Sequence, residues 1–397
     1  MFAPTKAPWI SPGVVIHHPE APAAALLGEF ARQVAGRGFA VAGCLPGENG
    51  LTDLTGAPLD GAGGGAETVA ARVLRGAMRE DADLAVIGAF EPFRHAVGES
   101  TAAIGEGLTQ GMPVLTAIPD GQVAGWHALI GHGGSMIAPT MRALWRWWGP
   151  ERLYRDLALG VAQDEPRRIV VGPRWLMVQG PAGAGLAYLP RNPRELTARL
   201  GDFRKQSLRQ LAALSGSWDP LEMALGLAAI NAHYNRFDLD AAIGNGADTF
   251  GAEAGRVVVV GAFPGLSDAL SNPQVIETDP RPGEYPTVAM DTLLPGCAAA
   301  VVASSTLVNR TLPRILRLSQ GAPLALIGPA TPLTPRLFAY GAEILGGLVI
   351  QDADGLAAAI RAGALPREFT RFGQYRHLRR ETTPSARSCR FRAAAGC

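Results

Sequence analysis

The sequence predicts an α/β protein of several domains, built on parallel sheets with helices on both faces. Three observations carry this. Residues 256–351 hold five short apolar runs, 257–260, 274–276, 298–303, 324–327 and 348–350, without polar alternation. Runs of that length and uniformity suit strands covered on both faces. Residues 11–150 alternate apolar runs with amphipathic stretches, the signature of strand–helix–strand units. At 397 residues the chain also exceeds one ordinary core, so two or three domains are expected.

Bulk composition narrows the class. Hydrophobic residues make up 47% and charged residues 18%, the balance of a soluble globular chain, and the formal net charge of +1 leaves no footprint for nucleic acid. The cysteines, Cys44, Cys297, Cys389 and Cys397, lie far apart, with neither metal-ligand spacing nor a disulfide framework. The N-terminus has no basic region followed by an apolar signal core, and no apolar run reaches the ~20 residues of a membrane span. A cytoplasmic protein with reduced thiols and no membrane span is expected.

In the first domain, residues 11–150, strands are expected at 13–16, 39–45, 83–87 and 113–117 and helices at 23–35, 67–78 and 102–110. The first helix carries Leu26, Leu27, Phe30 and Val34 on one face. The loop after the first strand, His17-His-Pro-Glu-Ala-Pro22, lacks the glycines and lysine of a phosphate-binding loop, and its prolines remove backbone donors. NTP hydrolysis by this domain is not expected. His17 and His18, adjacent on an extended chain, point to opposite sides and would not chelate together. His127 and His132 flank a Gly-rich turn and read as structural.

The segment Ala82-Asp-Leu-Ala-Val-Ile-Gly-Ala-Phe90, with Gly111-Met-Pro-Val-Leu-Thr-Ala-Ile-Pro119 and Trp126, resembles an uncharacterised P-loop-NTPase-like family associated with molybdenum transport ATPases. The family's polar turn after the third strand is replaced here by Gly88-Ala-Phe-Glu91, with Glu99 and Gly105 standing for the later part of its motif. The resemblance implies a link to molybdenum and a transporter component as a partner.

Residues 139–156 carry Leu144, Trp145, Trp147, Trp148, Leu153 and Tyr154, expected as a packed connector docking one domain on the next. The segment 163–166 lacks apolar residues and is expected as a hinge. In the second domain, residues 166–250, runs at 168–171, 175–179 and 185–189 separated by Gly-Pro turns predict an antiparallel meander. Helices are expected at 193–200, 205–214 and 220–234, with Asn192 and Asp219 as N-caps before prolines. The last is almost wholly apolar and should be buried against the 256–351 sheet. Asn231 within it needs hydrogen-bond partners or holds a ligand.

Several stretches then match one family: Gly185-Leu-Ala, Leu225-Gly-Leu-Ala-Ala-Ile-Asn-Ala232, Val259-Val-Gly-Ala-Phe-Pro-Gly265, Ser305-Thr-Leu-Val-Asn-Arg-Thr311 and Ile327-Gly-Pro-Ala-Thr-Pro-Leu-Thr-Pro335. Together they resemble the heavy-metal chelation family, whose members pair an enolase-N-terminal-like α+β domain with a Rossmann-like doubly wound domain. The resemblance covers residues 167–372 and implies domains at 166–250 and 251–372. Where the family has Thr-Gly-Ser-Thr, this chain has Ala303-Ser304-Ser305-Thr306, which adds a side chain where backbone would approach a ligand.

The loops expected at the carboxyl edge of the C-terminal sheet form the candidate site. Gly261 lets the chain turn close to a ligand, and Phe263 and Pro264 offer an apolar wall. Glu277 stands near where dinucleotide-binding sheets keep an acid for a ribose hydroxyl, although the Gly-x-x-x-Gly spacing is not a dinucleotide fingerprint. Ser304, Ser305 and Thr306 mark a strand-to-helix junction, read either as anion ligands or as plain N-caps. Asn309 lies one turn on, and Gly328, Pro329 and Thr331 belong to a rigid turn that brings a hydroxyl to the same cavity. No cysteine–histidine cluster falls here. An oxyanion such as molybdate, or a metal held by a small organic chelator, fits this edge better than a soft metal ion.

Two readings follow: a binding protein for a metal complex or oxyanion, or an enzyme using a nucleotide-like or adenosyl cofactor on the same edge. Catalysis and self-association into a homo-oligomer stay open. Residues 373–397, rich in arginine, are expected as a solvated tail.

Overall fold

The computed structural model describes residues 12–21, 23–48, 50–59, 66–88, 102–104, 106–107, 112–130, 134–190, 193–252, 255–263 and 265–380. By contacts between residues the chain divides into two compact units, one of residues 1–166 and 198–230, the other of residues 167–197 and 231–397. The expected hinge at 163–166 thus ends where the chain first passes between units.

In the first unit the strands are β1 (Gly13–His17), β2 (Val41–Gly47), β3 (Gly50–Asp53), β4 (Leu84–Ile87), β5 (Val114–Pro119) and β6 (Ser135–Ile137). They form one sheet in the order β3-β2-β4-β5-β1-β6, parallel except for the antiparallel edge strand β3. β4 is buried along its whole length and β5 over all but its last residue, as parallel strands under helices require. Thr116, the buried polar residue of β5, donates its hydroxyl to the Ile87 carbonyl at 2.8 Å. The Ala24–Gly36 helix buries Leu27, Phe30 and Val34 of the apolar face expected for it, and Leu26 only in part.

The tryptophan-rich segment belongs to the interior of this unit. Trp145 and Trp148 meet Phe30 edge-on at 5.3 and 6.3 Å between centroids, and Trp148 meets Phe39 at 5.2 Å. Arg37 pairs at 2.5 Å with Asp156, which is completely buried. Trp145 and Trp148 thus pack on the Ala24–Gly36 helix, while the Tyr154 carbonyl of the same segment accepts the Ser215 hydroxyl at 3.4 Å, so the segment joins residues of the expected first and second domains within one unit. The expected helix at 102–110, the turn at Gly88-Ala-Phe-Glu91, Glu99, Gly105, His132 and Asn192 lie partly or wholly outside the described residues.

In the second unit β7 (Arg168–Val171), β8 (Trp175–Gln179) and β9 (Ala184–Tyr188) form the antiparallel meander. The larger sheet holds β10 (Ala242–Ile243), β11 (Val257–Val260), β12 (Gln274–Glu277), β13 (Tyr285–Pro286), β14 (Ala299–Ala303), β15 (Leu324–Ile327), β16 (Ile344–Ile350) and β17 (Gly373–Arg379). Its order is β10-β17-β16-β15-β14-β11-β12-β13. From β13 to β16 every pairing is parallel; β17 returns antiparallel beside β16, and β10 beside β17. All five sequence-predicted strands are present. The four valines of β11 are each at most 5% exposed, and burying a valine contributes roughly 1.5–3 kcal/mol.

Residues 373–379 correct the expectation of a tail from 373 onward: they pair with β16 along seven residues. The remainder, 381–397, lies outside the described residues.

Candidate functional site

Counted from β11, the strands of the second unit's sheet run third, second, first, fourth, fifth, sixth in space. In this doubly wound order the chain leaves β11 to one side and β14 to the other, so their connections diverge. In sheets of this order ligands are taken beyond the carboxyl ends of the two diverging strands, here β11 and β14. Sequence alone places loops at that edge; the strand order singles out these two.

Small residues let the strand ends approach. Gly261, with φ +87°, closes β11, and its N–H donates to the Ile276 carbonyl at 2.9 Å. A Cβ on Gly261 would lie 2.6 Å from the Ala303 Cβ at the end of β14 and 3.9 Å from the Ser305 Oγ. Gly328, with φ +134°, ends β15, and a Cβ there would strike the Ser304 Oγ. Ser304 donates its own N–H to the Ile327 carbonyl at 2.7 Å. Gly261, Ser304, Ser305 and Gly328 therefore stand together across three neighbouring strand ends.

Glu277 joins them from the end of β12. Its Oε1 accepts the Ala262 N–H at 2.5 Å and its Oε2 accepts the Thr278 N–H at 3.1 Å. The carboxylate thus fixes the loop after β11 while staying partly exposed. This clasp is absent from sequence reasoning because the partner is a backbone N–H. Phe263 is partly buried against the core that includes Val257, Val259 and Leu270, and Pro264 lies outside the described residues.

The hydroxyls divide by task. Thr306 is buried and donates to the Ala303 carbonyl at 2.7 Å, closing the strand end. Ser304 is buried and makes no side-chain cap to the Ser305–Val308 helix, which is only four residues long. The plain N-cap reading does not hold for Ser304, whose side chain makes no cap hydrogen bond. Ser305 is exposed at this edge. Asn309, also exposed, accepts from the Thr311 N–H at 3.1 Å and the Thr311 hydroxyl at 2.6 Å, a local turn that starts the next helix. Pro329 is partly exposed beside Gly328.

Asn231 and Thr331 lie beneath this edge, both fully buried. The Asn231 amide donates to the Leu186 carbonyl at 2.8 Å and the Ala330 carbonyl at 3.0 Å, tying β9 to the loop after β15. Asn235, the residue just past the end of that helix, donates to the carbonyls of Thr331 at 3.0 Å and Leu348 at 3.4 Å and accepts the Leu333 N–H at 2.8 Å. The two amides tie residues 231–235 to the strands and loops of the second unit. Asn235 was missed in the sequence; its spacing of four from Asn231 in Asn231-Ala-His-Tyr-Asn235 is the signal, since both then share a helix face.

Among the described residues no group of three or more His, Cys, Asp or Glu side chains is placed to hold a metal ion. Asp279 is exposed, and Asp352 is engaged in capping the Ala353–Arg361 helix through the Gly355 N–H at 2.8 Å. Cys297 is buried ahead of β14, at the amino edge, and burial raises its thiol pKa. The residues present do not fit a bare, protein-caged metal ion. A polar groove of about 460 Å³ also lies at the amino edge, lined by residues including Arg256, Gln274 and Tyr285, away from the strand ends described above. No described helix is long and apolar enough to cross a membrane.

Comparison with known proteins agrees with this architecture. The DUF364 family model, described as "Putative heavy-metal chelation", matches residues 248–379, and DUF4213, with the same description, matches residues 154–234. Residues 64–147 match DUF2478, a family of unknown function. No curated protein matches the chain. A DUF364 protein from Pyrococcus horikoshii is 20% identical, with a TM-score of 0.48, over 57% of this chain and 98% of its own. A DUF364 protein of unknown function from Desulfitobacterium hafniense superposes with a TM-score of 0.52 over 58% of this chain. It is 30% identical, and 97% of its length is covered, so the present chain belongs to the DUF364 family.

Proposed function

We propose that the protein binds a metal complex or an oxyanion, molybdate included, at the carboxyl edge of the larger sheet, between the ends of β11 and β14. The observation that carries this reading is the meeting of Gly261, Ser304, Ser305 and Gly328 at the divergence point of a doubly wound sheet. Two left-handed glycines with no room for a Cβ keep the edge low, and Ser305 offers an exposed hydroxyl.

The family description supplies the metal, and the side chains supply its form. A ligand that brings its own chelating atoms needs only hydrogen bonds from the protein, and hydroxyls and backbone at a strand edge provide them. The molybdenum assignment draws further on the resemblance of the first domain to proteins associated with molybdenum transport, which also makes a transporter component a partner to test.

Calorimetry on the full chain with sodium molybdate, zinc chloride and a zinc–citrate complex tests this. Binding of molybdate or zinc citrate, weakened by a bulky Ser305→Trp replacement, is expected. Binding of zinc chloride alone, or no change in Ser305→Trp, contradicts it.

A further inference from the structure

We propose that Glu277 forms a subsite for the vicinal hydroxyls of a ribosyl ligand of nucleoside type. The subsite rests on the same carboxyl edge as the reading above, and adds a second chemical group to what the edge recognises.

A carboxylate offers about four lone-pair positions. Two are filled, one on each oxygen, by the N–H groups of Ala262 and Thr278. One position on each oxygen remains, and the side chain is partly exposed. Two acceptors at carboxylate spacing match two adjacent hydroxyl donors. The backbone contacts hold the group in place, so a diol meets an oriented acceptor rather than a mobile one.

Position agrees with chemistry. β12 neighbours β11 on the side away from β14. An acid at the end of the second strand in this order is placed to take a ribose hydroxyl.

The same loop disfavours a dinucleotide. A diphosphate is held by loop N–H groups and the start of a helix. Here the Ala262 N–H is already given to Glu277, and the Leu266–Ala269 helix after Gly265 is a single turn. A diphosphate would face a carboxylate where it needs donors. The ligand class is therefore a nucleoside-type ribosyl compound without a diphosphate.

Calorimetry on the full chain with adenosine, 2′-deoxyadenosine, NAD and sodium molybdate decides the matter. Adenosine should bind, 2′-deoxyadenosine should bind roughly tenfold or more weakly for loss of a hydrogen bond to a charged group, and NAD should bind no better than adenosine. Glu277→Gln, which can still accept the Ala262 N–H, should weaken adenosine to a similar degree. Equal affinity for adenosine and 2′-deoxyadenosine, tighter binding of NAD, or an indifferent Glu277→Gln overturns the proposal. Molybdate binding without adenosine binding overturns the subsite alone. Binding of neither, with zinc citrate also failing to bind, overturns both readings.

Discussion

Gly328 and the two buried asparagines show how much of this edge depends on single residues. Gly328 has φ +134°, and the Ser304 side chain stands where a Cβ would go. Gly328→Ala should cost about 1–3 kcal/mol, the range for a side chain forced into a sparsely populated backbone region. Urea unfolding measures it, and an unchanged midpoint would show that Ser304 yields without cost. Asn235 makes three hydrogen bonds to buried backbone groups and Asn231 two. An orphaned buried polar group costs about 1–3 kcal/mol, so Asn235→Ala should destabilise more than Asn231→Ala in the same assay. The reverse order would reassign the pinning role. Cys44 is fully buried, and desolvation pushes its thiol up to about 12. At pH 8 iodoacetamide should label it only after unfolding, as peptide mass spectrometry would show. Labelling of the native chain would mean that β2 opens readily. At this scale Asn231 was visible in the sequence as a polar residue in an apolar helix. Its two carbonyl partners were not, since backbone carbonyls leave no mark on a sequence.

Among the elements, β17 differs most from expectation. Gly373-Gln-Tyr-Arg-His-Leu-Arg379 lacks a clean apolar alternation and reads as a polar tail. It is a strand because β16, buried along all seven residues, presents an edge that its backbone can pair. The weak pattern reflects a strand that is only partly buried. Tyr375 packs against the core containing Trp175 and Phe369, and desolvation raises its phenol pKa from 10.0 to about 12. Its neutral form is favoured by folding, so that contribution is complete below pH 10 and is lost as pH rises from about 10 to about 12. Tyr375→Phe should flatten this loss in a series of urea titrations across that window; an identical pH dependence would show that the ring is solvated. By contrast β11, β14 and β15 were plain in the sequence, because strands buried on both faces leave runs such as Val257-Val-Val-Val260.

At the scale of the molecule, what the sequence could not show was strand order. Apolar runs identify strands and imply parallel pairing, but the arrangement that puts β11 between β12 and β14 is a non-local property. That order brings together Gly261, Ser304, Ser305 and Gly328, which are up to 67 positions apart in sequence. The division into two units was also only partly legible. Residues 198–230 group with the first unit although they follow the meander of the second, and no change of composition marks the passage. The most direct test of the central claim is an amide chemical-shift map of the full chain titrated with sodium molybdate, zinc citrate and adenosine. Shifts concentrated at residues 261–263, 277–278, 303–306 and 328 are predicted for a ligand that binds. Shifts confined to the amino edge at 271–274, or to the first unit, would contradict it.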